Sequence, residues 1–136
     1  MTASLEALRV PGFWYVASPY SDESPDIRRV RAYEVHDIVA QLLAMGFHAY
    51  SPIWATHRAS ILYQLPKDHL FWLEFNKAFL DPAVGVLVAD IDGWKTSKGT
   101  QQEIAYARAA GKPVYLINDN HGLGPVTVME LAEAET

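Results

Sequence analysis

Val84-Gly-Val-Leu-Val-Ala89 is a continuous run of small and branched apolar residues, bounded by Asp81-Pro82 on one side and Asp90 on the other. A half-exposed strand would alternate polar and apolar side chains, so an unbroken run of this kind fits a central parallel strand covered on both faces. Upstream, Phe71, Phe75 and Phe79 recur at i+4 spacing and predict a helix from about Lys67 to Leu80, ended by Asp81-Pro82. Downstream, Asp90 to Lys98 reads as a loop. Thr100-Gln-Gln-Glu103 has capping-box spacing and opens a helix through Ala110; Gly111 stops it, and Lys112-Pro-Val-Tyr-Leu-Ile117 predicts the next strand.

The rest of the chain repeats this alternation. Phe13-Trp-Tyr-Val-Ala-Ser18 predicts a first strand, rich in aromatic and β-branched residues. Ser24 is placed to N-cap a helix with Pro25 at its first position, in which Val35, Ile38, Val39, Leu42 and Leu43 keep helical spacing until Gly46. Phe47 to Ser51 predicts a second strand, Pro52 to Gln64 an irregular or partly helical excursion, Asn118 to Pro125 turns, and Val126 to Ala134 a terminal helix. Strand and helix in alternation imply a parallel sheet with right-handed crossovers, hence a three-layer α/β domain of flavodoxin or Rossmann type with four or five strands, spanning residues 1–136 as one domain. Ligands of such sheets sit beyond the carboxyl ends of the strands, which makes Tyr15–Ser21 and Asp90–Glu103 expected neighbours.

Composition narrows the function. The 136 residues are half hydrophobic and carry a formal charge of −5, which suits a packed core and disfavours broad attraction to nucleic acids or anionic membranes. The longest apolar stretch, Ala83 to Ala89, is too short to span a bilayer, and Met1 to Gly12 lacks the apolar core of a signal peptide, so a cytoplasmic location is expected. With no cysteine, thiolate zinc sites, iron–sulfur clusters and cysteine nucleophiles are excluded. The five histidines lack the i, i+4 and HExxH spacings of a helical metal site, and no metal or cofactor is implied.

Several residues remain as candidates for chemistry. Glu103, in the first turn of its predicted helix, should be held ionised by the helix dipole; position alone favours a plain capping role with Thr100. Asp90 and Asp92 follow the central strand, where carboxylates can project into the crevice, although Asp92-Gly93 also suits a turn. Ser97, Gly99 and Thr100 can surround an anion with hydroxyl and N–H groups or simply cap the helix. Tyr15 and Trp94 can line a pocket or pack in the core.

Taken together, two blocks carry a resemblance. Tyr15-Val-Ala-Ser-Pro-Tyr-Ser21, followed by Val88-Ala-Asp90-Ile-Asp92-Gly-Trp94-x-x-Ser97-x-Gly99-Thr-x-x-Glu103-Ile-Ala-Tyr-Ala and Gly111-Lys-Pro-Val, resembles the superfamily of nucleoside 2-deoxyribosyltransferases and 2′-deoxynucleoside 5′-phosphate N-hydrolases, with its bacterial and phage branch. The similarity is dense in these blocks and only compatible in pattern between them. It implies Glu103 as nucleophile, Tyr15 as the phenol that orients it, and Asp68 in the place of an acid on the preceding helix. Ser18, Ser21, Trp94, Ser97, Gly99 and Thr100 fall among the substrate-binding positions. The transferases carry an aspartate where Ser97 stands, and the nucleotide hydrolases do not, which tilts the expected substrate toward a 2′-deoxynucleoside 5′-monophosphate. Asp68, Asp90 or Asp92 would protonate the leaving base. Relatives are typically homo-oligomers, so the same is expected here, with a small-molecule nucleotide or nucleoside as partner and neither nucleic acid nor membrane. The rival expectation is a nucleotide-binding or sensing module without turnover.

Overall fold

A computed structural model describes residues 2–132. Six strands, β1 (Thr2–Ala3), β2 (Trp14–Ala17), β3 (Ala49–Tyr50), β4 (Gly85–Ala89), β5 (Val114–Asn118) and β6 (Thr127–Glu130), form one sheet in the order β1-β6-β5-β4-β2-β3. Among the described residues there are four α-helices: α1 (Pro25–Ala44), α2 (Pro52–Tyr63), α3 (His69–Leu80) and α4 (Lys98–Ala109). The β3-β2-β4-β5 portion is parallel, with Tyr15 opposite Val86 and Leu87 opposite Tyr115. β4 is buried along its whole length, as its unbroken apolar run requires.

Alternate side chains of β2 and β4 feed two cores, which gives the three layers of a Rossmann-like α/β domain. Trp14, Val16, Leu87 and Ala89 join Val35, Ile38 and Leu42 of α1 on one face. Tyr15, Ala17, Val86 and Val88 join Leu80 of α3 and Ile104 and Ala107 of α4 on the other. Ser24 caps α1 as its sequence requires, its Oγ accepting from Ile27 N with Pro25 at the first helical position.

Four expectations need correction. The sheet is not parallel throughout, because β5 and β6 pair antiparallel; the short connection between Asn118 and Thr127 has no room for the helix a parallel crossover needs. The expected terminal helix is the strand β6, where β-branched Thr127 and Val128 pair with Asn118 and Ile117; residues 133–134 of that prediction lie outside the described residues. The excursion Pro52–Gln64 is a full helix, α2, opened by Ser51, whose Oγ accepts from Trp54 N, and closed by Gln64 at φ +49°. Finally, Ser97 rather than Thr100 caps α4, its Oγ accepting from Thr100 N, so Glu103 lies in the second turn and makes no capping box.

Candidate active site

Helix α4 turns Thr100, Glu103, Ile104 and Ala107 toward the sheet, since these positions lie three and four residues apart on one face. Tyr15, on β2, points to the same layer. The two segments therefore meet as the topology demands: the Tyr15 hydroxyl donates a hydrogen bond to Glu103 Oε2 in the buried interior. Glu103 is only 7% exposed and Tyr15 fully buried.

Burial overturns the expected ionisation of Glu103. Removal from water raises its pKa from 4.5 to about 8, opposed only in part by the hydrogen bond from Tyr15, so the carboxyl is neutral at neutral pH. Its second-turn position also puts it beyond the reach of the helix dipole, which fades within the first turn. Burial, and then the Glu103 charge, push the Tyr15 hydroxyl well above its ordinary range.

Because the phenol is what holds the carboxyl down, Tyr15→Phe should raise the Glu103 pKa further. A hydrogen bond to a charged group is worth about 1.5–3 kcal/mol, or roughly one to two pH units. NMR titration of the Glu103 side-chain carbon checks this, and an unmoved midpoint contradicts it.

The remaining sequence candidates divide. Asp90, Asp92 and Trp94 line an open cleft of about 420 Å³ together with Lys95, Asn118 and His121. Asn118 Nδ2 donates to Asp90 Oδ2 at 2.9 Å. Glu103 and Tyr15 do not line this cleft; Trp94, 5% exposed, belongs both to its wall and to the core cluster around Tyr15, and so stands between the two. Asp68 is exposed, with its Oδ1 accepting from Leu70 N as the N-cap of α3. Ser97 is occupied as a helix cap, Gly99 faces open space, and Ser21 is exposed with its backbone carbonyl accepting from Arg31 Nη1 at 2.8 Å.

Two candidates stand out differently. Ser18 Oγ and Thr100 Oγ1 are buried and have no hydrogen-bond partner, and Asn76 Oδ1 shares that condition. An unpaired buried polar atom costs about 1–3 kcal/mol, so such atoms mark places where a partner is missing from the free protein. Sequence reasoning passed over Asn76, although its position one turn from Phe79 and Leu80 on an aromatic helix face was readable. It also passed over His121, which closes the cleft from a loop where Asn120 and His121 both take positive φ (+54° and +55°), a strained conformation typical of functional sites.

Among the described residues, no group of three or more histidine, aspartate or glutamate side chains is arranged to hold a metal ion, and no helix is long and apolar enough to cross a membrane. Residues 12–119 match a family model described as a domain of unknown function, DUF1937. No curated protein matches the chain.

Proposed function

The chain belongs to the DUF1937 family, and we propose that it cleaves the N-glycosidic bond of a nucleotide or nucleoside, a 2′-deoxynucleoside 5′-monophosphate in the first instance, with Glu103 as nucleophile. The observation that carries this reading is the buried Tyr15–Glu103 pair, which joins the two sequence blocks resembling the deoxyribosyltransferase and nucleotide N-hydrolase superfamily. A carboxyl held out of water beside a phenol is a costly arrangement for a purely structural role, and a carboxyl whose pKa is displaced by burial marks a candidate for chemistry.

The chemistry follows from the charge that develops. As the bond from C1′ to the base nitrogen breaks, positive charge grows on the sugar; Glu103, neutral in the free protein at neutral pH, acts through its ionised form, so its proton is given up to solvent before the carboxylate attacks C1′ to form a glycosyl ester. The base leaves with a proton, which in this reading comes from Asp90 or Asp92, both lining the cleft, whereas Asp68 lies outside it. Water then attacks C1′ and restores the carboxylate, as in retaining glycosidases; a second base in place of water gives transfer instead. In this reading the base occupies the cleft and the sugar passes Trp94, so the loop from Asp90 to Ser97 shifts when substrate enters. The spatial order β3-β2-β4-β5-β6 supports a flavodoxin-type reading of the sheet apart from the antiparallel β6, and in that reading the ligand crevice opens at the switch between β2, which carries Tyr15, and β4, which precedes the helix of Glu103.

Incubation with the four 2′-deoxynucleoside 5′-monophosphates, followed by chromatography for free base, tests the proposal; a wild-type protein that releases none refutes it. One observation favours a second reading, a nucleotide-binding module without turnover: the 420 Å³ cleft does not include Glu103. Nucleotides would then raise the melting temperature without any base release.

We propose further that the chain self-associates through α1 and α2. Val30 and Tyr33 on α1, and Trp54, Ile61, Leu62 and Tyr63 on α2, are all more than a third exposed, a larger apolar display than single scattered side chains account for. The two helices pack together, Tyr33 meeting Trp54 edge-on at 5.2 Å. Sedimentation at micromolar concentration should show a dimer or larger species in the wild type, and Leu62→Glu with Tyr63→Lys should return it to a monomer. A wild type that sediments as a monomer overturns this.

A further inference from the structure

Helix α3 holds a polar group whose partner is missing. Asn76 Oδ1 is buried without a hydrogen bond, in a stripe otherwise made of Trp72, Phe79 and Leu80. Leu80 and Phe79 pack in the same cluster as Tyr15 and Ile104, and Phe79 stacks on Tyr50 at 4.7 Å, so this side of α3 faces the layer that contains the Tyr15–Glu103 pair. Asn76 lies three and four residues before them, on that same side.

Its height in the layer can be worked out from the chain direction. Leu80 sits at the amino end of the sheet, where Val84 N donates to Phe13 O. α3 runs opposite to the strands, so Asn76 is about 6 Å nearer their carboxyl ends than Leu80. Tyr15 is two residues above Phe13 on β2, about 6 to 7 Å in the same direction. By this count of rises Asn76 falls at about the height of Tyr15. α4 packs beside α3, and on it Thr100 Oγ1, also buried and unpartnered, stands one turn above Glu103.

We infer that Asn76 contacts the substrate, its amide oxygen accepting a hydrogen bond from the 3′-hydroxyl of the bound deoxyribose; this rests on the glycosidase reading above. An amide oxygen needs an O–H or N–H donor. With Glu103 facing C1′ and the base lying outward in the cleft, the sugar hydroxyl is the ligand donor that reaches this depth. The Trp72 indole N–H is turned instead to Pro66 O, and Phe79 and Leu80 carry no donor, so the amide oxygen is unpaired in the free protein.

The distinguishing variant is Asn76→Leu, which keeps the volume and removes the polar atoms. An asparagine that serves the fold would be missed, whereas removing an unpaired buried polar group leaves folding unharmed or improves it. The expected result is a melting temperature at or above that of the wild type, KM for the 2′-deoxynucleoside 5′-monophosphates raised about tenfold, and the same KM for the 2′,3′-dideoxy analogues as for the deoxynucleotides. The wild type should bind the dideoxy analogues about tenfold more weakly. Asn76→Leu with unchanged KM, or with a lowered melting temperature, overturns the assignment while leaving the glycosidase reading intact. If the wild type distinguishes the two substrate series and the variant still does so, the 3′-hydroxyl finds its partner elsewhere and the assignment falls as well. A wild type that releases no base from any 2′-deoxynucleoside 5′-monophosphate brings down the glycosidase reading and, with it, this assignment.

Discussion

Glu103→Gln is expected to abolish base release and, at the same time, to make the protein more stable in alkaline solution. The sign follows from linkage. The Glu103 pKa is about 8 in the folded protein and near 4.5 when exposed, so between those values the folded state holds a proton that the unfolded state has lost. Folding stability from this group is fully present below about pH 4.5, falls by about 1.4 kcal/mol per pH unit as pH rises, and levels off above pH 8. Glutamine mimics the neutral acid, still accepts from the Tyr15 hydroxyl, and never ionises. Urea denaturation at pH 6 and pH 9 should therefore show a difference of several kcal/mol between wild type and variant at the higher pH, where the wild type must keep a charge in the core. In the same variant, base release should drop on the order of a thousandfold or more, the scale of losing a catalytic group that acts directly on the reacting atom. Equal pH slopes for both proteins would mean that the carboxyl is better hydrated than its burial indicates. Undiminished base release would remove Glu103 from the mechanism.

The second large effect is expected at Gly85, the first residue of the central strand. A Cβ placed there would lie 2.5 Å from Trp14 Cζ3 and 2.6 Å from the carbonyl oxygen of Pro113. Neither neighbour can yield easily. The Trp14 indole is tied by its Nε1 to Leu8 O at 2.8 Å and packs edge-on against Tyr115, while Pro113 O accepts from Val86 N at 3.0 Å within the β4–β5 pairing. Gly85→Ala should cost about 1–3 kcal/mol or more, the range for forcing atoms into a packed core, and reduce the denaturation midpoint accordingly. A change below about half a kcal/mol would show that the strand can shift sideways at this point. The glycine is thus explained by the approach of strand and indole, as expected of a glycine within a central strand.

The architecture was readable wherever local chemistry and tertiary packing agree. Val84–Ala89 announced a strand covered on both faces, Ser24-Pro25 marked the start of α1, and the phenylalanine spacing marked α3; each is consistent with its neighbours in the fold. The misreadings arose where one residue type serves two roles. Thr100 and Glu103 have the spacing of a capping box, but Ser97 lies three residues earlier and takes the cap, which moves Glu103 into the second turn and the interior. Local spacing also could not show that Glu103 would be desolvated, because its burial comes from β2, far away in sequence. Similarly, Val126–Ala134 contains good helix formers, yet the brevity of the preceding turn directs it to the edge of β5 as a strand. The meeting of Tyr15 with Glu103 was foreseeable from the rule that ligands gather at the carboxyl ends of parallel strands. The exposed N-cap position of Asp68, the separation of Asp90 and Asp92 from Glu103 by Trp94, and the unpaired Asn76 were not, since each depends on how helices tilt onto the sheet.

The sheet ends on either side in a two-residue strand, β1 at one margin and β3 at the other. Four parallel strands must find each other over long sequence separations, and such sheets are slow to assemble and vulnerable to sticking together while they do. Margins this short present few free backbone groups to a neighbouring chain, so the ladder gives amyloid-like stacking little to grow from.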